Sequence, residues 1–223
     1  QAPDEPAHYN YVRYLAEAHR FPVLKAGDYP AAYLDEIKAA GFPPEMSIAP
    51  IRYEFHQPPL YYLLAVPVYG LFDGALLPLR LLSVALGALL LAVTYWTVRE
   101  VAPGAPWLAL GTTAFIAFLP MHLAMSAAVN NDPLAELLGA LVLLLAVRIL
   151  RPAEDAGDGR LAVLLAISTG LALLTKSSLY ILLPVVLLAI AARHLWLRAE
   201  DGRLLRAGSL YLLPALLLAL PWW

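Results

Sequence analysis

The residues Pro3-Asp4-Glu5-Pro6-Ala7-His8 put two adjacent carboxylates and an imidazole at the head of the chain. If a helix begins there, Asp4 and His8 share a face at i,i+4, and Glu5 and His8 at i,i+3. The structural role for such a stretch is a capped helix. Asp4 would accept the free N–H groups, Pro6 is tolerated in the first turn, and the acids complement the helix dipole. The chemical role is proton transfer. Further along stand His56, Arg80, Asp132 and Lys176. Each has an ordinary reading: a hydrogen-bonded structural histidine, a helix-end anchor, a cap before Pro133, and a snorkelling lysine. Together, acids and cations at a membrane surface suit one kind of reaction. Lys or Arg can stabilise the charge that a lipid-linked phosphate gains on leaving. A carboxylate opposite can take the proton of an attacking hydroxyl or amine.

The elements that must position these groups are mostly apolar. The chain has 223 residues, 61% hydrophobic and only 14% charged. Runs such as Leu81 to Val98 and Leu134 to Val147 are nearly charge-free over about a bilayer's thickness. The expected fold class is therefore an all-α membrane protein, a polytopic transmembrane helical bundle. A formal net charge of −2 supplies no broad basic field, so nucleic acid is not an expected partner. The absence of cysteine excludes disulfides and thiolate chemistry. Because the chain opens on Gln1 and stops in an apolar run at Trp222-Trp223, it reads as a piece of a longer protein, with one span expected before Gln1 and more after Trp223.

Two regions follow: an extracytoplasmic loop carrying juxtamembrane helices over residues 1–78, and a transmembrane bundle over 79–223. In the loop, spacing predicts an amphipathic helix from Pro6 to about Arg20 and a shorter one over Leu34–Ala40, ended by Gly41 and Pro43-Pro44. Its many tyrosines suit headgroup depth. The Pro59–Phe72 run is too short to span and contains Pro67, so it reads as a juxtamembrane helix. Expected spans are Leu79–Val98, Pro106–Val129, Leu134–Ile149, Leu161–Thr175 and Leu179–Ala192, with Gly208–Trp223 the start of another. Arg148, Arg151 and Arg160 bracket one short loop; Arg193, Arg198, Arg203 and Arg206 populate another. The positive-inside rule makes these cytoplasmic, which puts the first loop, Asn130-Asn131-Asp132 and Lys176 together outside.

At these residues a resemblance emerges. Pro-Asp-Glu, then His56-Gln57-Pro58-Pro59-Leu60-Tyr61-Tyr62, then Arg80-Leu81-Leu82-Ser83 with Gly87, then Asn131-Asp132-Pro133, then Gly170 through Lys176 stand in one order. This pattern resembles the multi-pass glycosyltransferases that use polyprenyl-phosphate sugars (the GT-C fold), among them the protein O-mannosyltransferases and the aminoarabinose transferases, with their bacterial relatives. The resemblance implies an inverting transfer from a polyprenyl-phosphate donor to an extracytoplasmic glycan, lipid or protein acceptor. It puts the catalytic base on Asp4, with Glu5 beside it and Asp132 as the second-loop acid. The family's motif reads His-Pro-Pro, and Gln57 departs from it.

In this reading Glu5 and Asp132 orient groups or hold a cation, while Lys176 and Arg80 bind donor phosphate, with His8 and His56 also facing substrate. No cofactor is required with certainty. A divalent metal is open, with Asp4, Glu5, His8 and Asp132 as candidate ligands, although their spacing lacks a firm signature. The expected setting is a bacterial plasma membrane, with membrane lipids around the bundle. The rival readings are a transporter or flippase of lipid-linked sugars and a non-catalytic scaffold subunit. A transporter would place ionisable groups within its spans; in the first three spans only His122 and Glu136 lie away from the ends, both toward the outer face.

Overall fold

The computed structural model describes residues 4–150, 158–196 and 201–222. Among them the chain folds into ten α-helices and no strand, an all-helical membrane protein. Arg151 and Arg198, two of the arginines used above for orientation, lie outside the described residues.

Helix α1 spans Glu5–Ala18, begins with Pro6 in its first turn, and ends where His19 turns left-handed (φ 51°). Its buried face carries Ala7, His8, Tyr11, Val12 and Leu15. Helix α2 (Ala31–Ala39) starts three residues before the expected Leu34 and buries Leu34 and Ile37 against Ala7 and Ile51. A single 3-10 turn at Tyr53–His56 leads into α3 (Leu60–Leu71), which holds Pro67 inside it and packs on α1. Tyr11 of α1 stacks on Tyr62 of α3 with ring centres 3.7 Å apart, and Phe55 closes edge-on at 5.6 Å.

Helix α4 (Leu76–Val101) starts three residues before the expected Leu79. At about 1.5 Å per residue its 26 residues exceed the hydrocarbon thickness. The expected single span Pro106–Val129 is instead two helices, α5 (Pro106–Ala117) and α6 (Pro120–Ser126), meeting at 64°. Pro120 accounts for the break, since it has no N–H to give and its ring crowds the preceding turn. Helix α7 (Asp132–Leu150) is again long and apolar enough to cross. Thus two described helices meet that test, or three if the bent pair is one span. Of the remaining expected spans, α8 (Asp158–Leu173), α9 (Leu182–Trp196, entered by a 3-10 turn at Ser177–Ile181) and α10 (Asp201–Ala219) have shorter described apolar stretches.

Close packing fixes the bundle. A Cβ on Gly87 would lie 2.6 Å from Ser126 Oγ, so α4 and α6 approach only because position 87 lacks one. Gly170 does the same between α8 and α10, where a Cβ would meet Leu218 at 2.8 Å. One buried cluster runs from Tyr11, Phe55 and Tyr62 in the N-terminal segment through Leu79 and Leu86 to Val142, Leu165, Val186 and Tyr211. The N-terminal helices therefore share a core with the bundle rather than resting against it.

Candidate active site

Asp4 precedes the first helical residue with a left-handed backbone (φ 64°, ψ −12°) and no side-chain cap bond. The helix start was legible, but the capping role is not what the side chain does. Its Oδ1 instead accepts the Tyr53 hydroxyl at 2.6 Å. The carboxylate is exposed, and among the described residues it has no cationic partner. A non-glycine residue held left-handed is one that surrounding structure over-determines.

Glu5, the next residue, is 3% exposed and tightly held. Arg80 of α4 grips it in a fork, Nε to Oε1 at 2.8 Å and Nη2 to Oε2 at 2.6 Å. The backbone N–H of Val129 also donates to Oε1 at 3.0 Å. Parallel N–H···O bonds of this kind are among the stronger polar contacts. Glu5 thus joins α1, α4 and the segment before α7.

His8 is buried, and its Nδ1 shares a 2.8 Å hydrogen bond with the Tyr62 hydroxyl. Burial drives its pKa down to about 3, so the ring is neutral. The charges of Asp132, Lys176, His56 and Glu5 also act on it, which is the electrostatic signature of their convergence. His56 is exposed, and its Nδ1 donates to the Tyr53 carbonyl at 2.8 Å, leaving Nε2 for another contact.

Asp132 opens α7, yet the local N–H is met by a different side chain: Asn130 Oδ1 accepts the Asp132 N–H at 2.9 Å. The Asp132 carboxylate is left for Lys176, with which it forms an ion pair. Asn131 donates to the Thr175 carbonyl at 3.0 Å, and the Leu60 N–H to the Leu174 carbonyl at 2.9 Å. Tyr61 joins in, its hydroxyl bonded to Ser83 Oγ at 2.9 Å and accepting the Asn130 N–H at 3.2 Å. The first segment, the start of α7 and the end of α8 therefore meet at one end of the bundle. The structure brings together Asp4, Glu5, His8, His56, Arg80, Asp132 and Lys176 in that region. It also pairs both proposed phosphate cations with acids, Arg80 with Glu5 and Lys176 with Asp132, which spacing did not reveal.

The sequence reading passed over Glu54, which the fold places here. Its Oε2 is buried and bonded to nothing among the described residues, and burial raises its pKa. Tyr53, whose pKa is raised by burial and then by the bond to Asp4, was passed over as well. Both precede His56 in Tyr53-Glu54-Phe55-His56, and an acid two positions before a chosen histidine was the available signal. As for a metal, no group of three or more His, Cys, Asp or Glu among the described residues is arranged to hold an ion. Of the four candidate ligands, Glu5 is taken by Arg80, and His8 turns to Tyr62.

Fold and site together define a helical integral membrane protein with acids and cations gathered at one end of its bundle. The family model for dolichyl-phosphate-mannose-protein mannosyltransferases matches residues 48–223, and the chain belongs to that family. This makes it a membrane glycosyltransferase of the class that uses a polyprenyl-phosphate sugar. Comparison with curated proteins returned no match, and comparison with solved structures returned none either. The matched region contains His56, Arg80, Asp132 and Lys176 but begins after Asp4, Glu5 and His8, which join the site through the contacts above.

Proposed function

We propose that the chain carries the catalytic part of an inverting glycosyltransferase, acting on the extracytoplasmic face of a bacterial plasma membrane. Residues 1–78 would form the loop on that face and 79–223 the bundle. The acceptor is a glycan, lipid or protein bearing a hydroxyl or amine, and the transferred sugar a hexose or pentose. The acceptor attacks the anomeric carbon of the polyprenyl-phosphate sugar as the bond from that carbon to the phosphate oxygen breaks. The acceptor's proton passes to the Asp4 carboxylate, and polyprenyl phosphate leaves with its added charge. The observation that carries this reading is the state of Asp4: a carboxylate with no cationic partner among the described residues, beside a cluster holding two cations.

Lys176 and Arg80 are about a third exposed, at 29% and 33%, so each can turn part of its donor set to a phosphate while its acid keeps it aimed. Lys176 has three N–H donors and Arg80 five, more than one carboxylate consumes. Asp132 and Glu5 are then positioning residues. The neutral His8 and the free Nε2 of His56 are suited to substrate hydroxyls.

The test is transfer in vitro by the purified full-length protein, offered a panel of polyprenyl-phosphate sugars. Transfer from at least one donor is expected. Lys176→Ala should raise the donor KM far more than Lys176→Arg does. Equal activity for wild type and Lys176→Ala would remove Lys176 from the phosphate site, and no transfer from any donor would overturn the enzymatic reading.

A further inference from the structure

Away from the site described, the stretch after α1 reads Arg20-Phe21-Pro22-Val23-Leu24-Lys25, an apolar tetrad between two cations. Phe21 is 51% exposed, Val23 70% and Leu24 45%, in a protein that has an adjoining core in which to bury them. Beside this stretch lies a cleft of about 230 Å³, lined by Tyr14, Arg20, Phe21, Lys25, Arg52 and Phe55 among others. We propose that this cleft is a headgroup site for an anionic phospholipid, with Arg20, Lys25 and Arg52 around the phosphate and Phe21, Val23 and Leu24 in the acyl layer.

Arg20 and Arg52 are held in place without being neutralised. Arg20 Nε donates to the Tyr14 hydroxyl at 2.9 Å, and its guanidinium lies 5.9 Å from the centre of that ring. Arg52 Nε donates to the Ala49 carbonyl at 2.8 Å. Among the described residues none of the three cations is ion-paired, so their remaining donors are open to a ligand. The acid in the cleft, Asp28, is engaged by the backbone N–H of Lys25 at 2.7 Å, and the balance of charge stays positive.

Depth favours a lipid over a soluble anion. Phe21 meets Trp222 edge-on at 5.6 Å, and Trp222 closes the 3-10 turn that follows the apolar helix α10. The cleft is thereby tied to the end of an apolar helix, and indole rings at the ends of apolar helices settle at headgroup level. Exposed apolar side chains flanked by cations are what binding at a charged bilayer surface uses. A pocket for free phosphate needs the cations but not the apolar rim.

The test uses the full-length protein in detergent with defined lipid added, and native mass spectrometry to count retained lipids. Wild type should keep phosphatidylglycerol over phosphatidylcholine by about tenfold or more, since each basic residue near an anionic surface is worth about fivefold. Combined Arg20→Gln, Lys25→Gln and Arg52→Gln should bring the preference close to parity. Lys38→Gln, on exposed α2, should leave it unchanged. Because the triple variant could fold poorly, single Lys25→Glu serves as the second probe and should lower the preference several-fold. No preference in wild type, or an undiminished one in Lys25→Glu, would overturn the proposal. Displacement of the lipid by millimolar inorganic phosphate would overturn it too, assigning the cleft to a soluble anion.

Discussion

Asp4 and Glu5 are adjacent and carry the same charge, yet the fold treats them in opposite ways. Glu5 is buried, gripped by a guanidinium and a backbone N–H, and links three parts of the chain. Asp4 is exposed, strained in its backbone, and among the described residues is met by a neutral hydroxyl. A carboxylate whose charge is met by arginine has little reason to accept a proton. This difference is why the proposal gives the chemistry to Asp4 and the architecture to Glu5, although their side chains differ by a single methylene.

The strongest way to break this contrast is Asp4→Asn. Asparagine tolerates a left-handed backbone and can still accept from Tyr53, so folding should hardly change. Loss of the proton acceptor should lower transfer by about 10²–10⁴-fold, as general-base catalysis typically contributes that much. Near-normal transfer from a well-folded variant would move the base elsewhere, to Asp132 or the overlooked Glu54.

The opposite arm of the comparison is Arg80→Met. Stranding one member of a buried ion pair costs about 3–5 kcal/mol. Since Arg80 is about a third exposed and the Val129 N–H still serves Glu5, about 2–3 kcal/mol is a fairer expectation. Thermal unfolding would measure it, and adding Glu5→Gln to Arg80→Met should recover part of the loss. Additive losses would mean the pair is not the joint described.

How far was this contrast visible in the residues? The helix start at Asp4, the short α3 around Pro67 and the long apolar helices α4 and α7 follow from proline placement and hydrophobic period, which are local properties. The meeting of Asp4, Asp132 and Lys176 at one end followed from counting charged loops. The pairing of Glu5 with Arg80 could not be read this way, because it spans 75 residues and depends on how α1 lies against α4. Asp132 looked like its own helix cap because nothing local says that Asn130 takes that part. The bend at Pro120 was missed, because the length of the apolar run argued for one span although it holds a proline.

The smallest effect separates the buried side of the site from its exposed side by pH. The folded pKa of His8, about 3, lies below its ordinary 6.5, so the unfolded chain binds the extra proton first. The contribution of neutral His8 is fully present above pH 6.5 and is lost as pH falls toward 3. The slope from this one group is at most about 1.4 kcal/mol per pH unit. Denaturant unfolding between pH 7 and pH 5 should show stability falling, and His8→Gln should flatten the fall. An unchanged slope in that variant would place the titrating group elsewhere.

The joint at Glu5 also sets an order of assembly. Its partners arrive 75 and 124 residues later in the chain. While the protein is being made, the Glu5 carboxylate has neither arginine nor backbone N–H to meet it, and burying it alone would be costly. It stays in water until α4 and the segment before α7 have been delivered. A segment made before its partners is thus among the last to close, and the site takes shape only after the helices that carry those partners are in place.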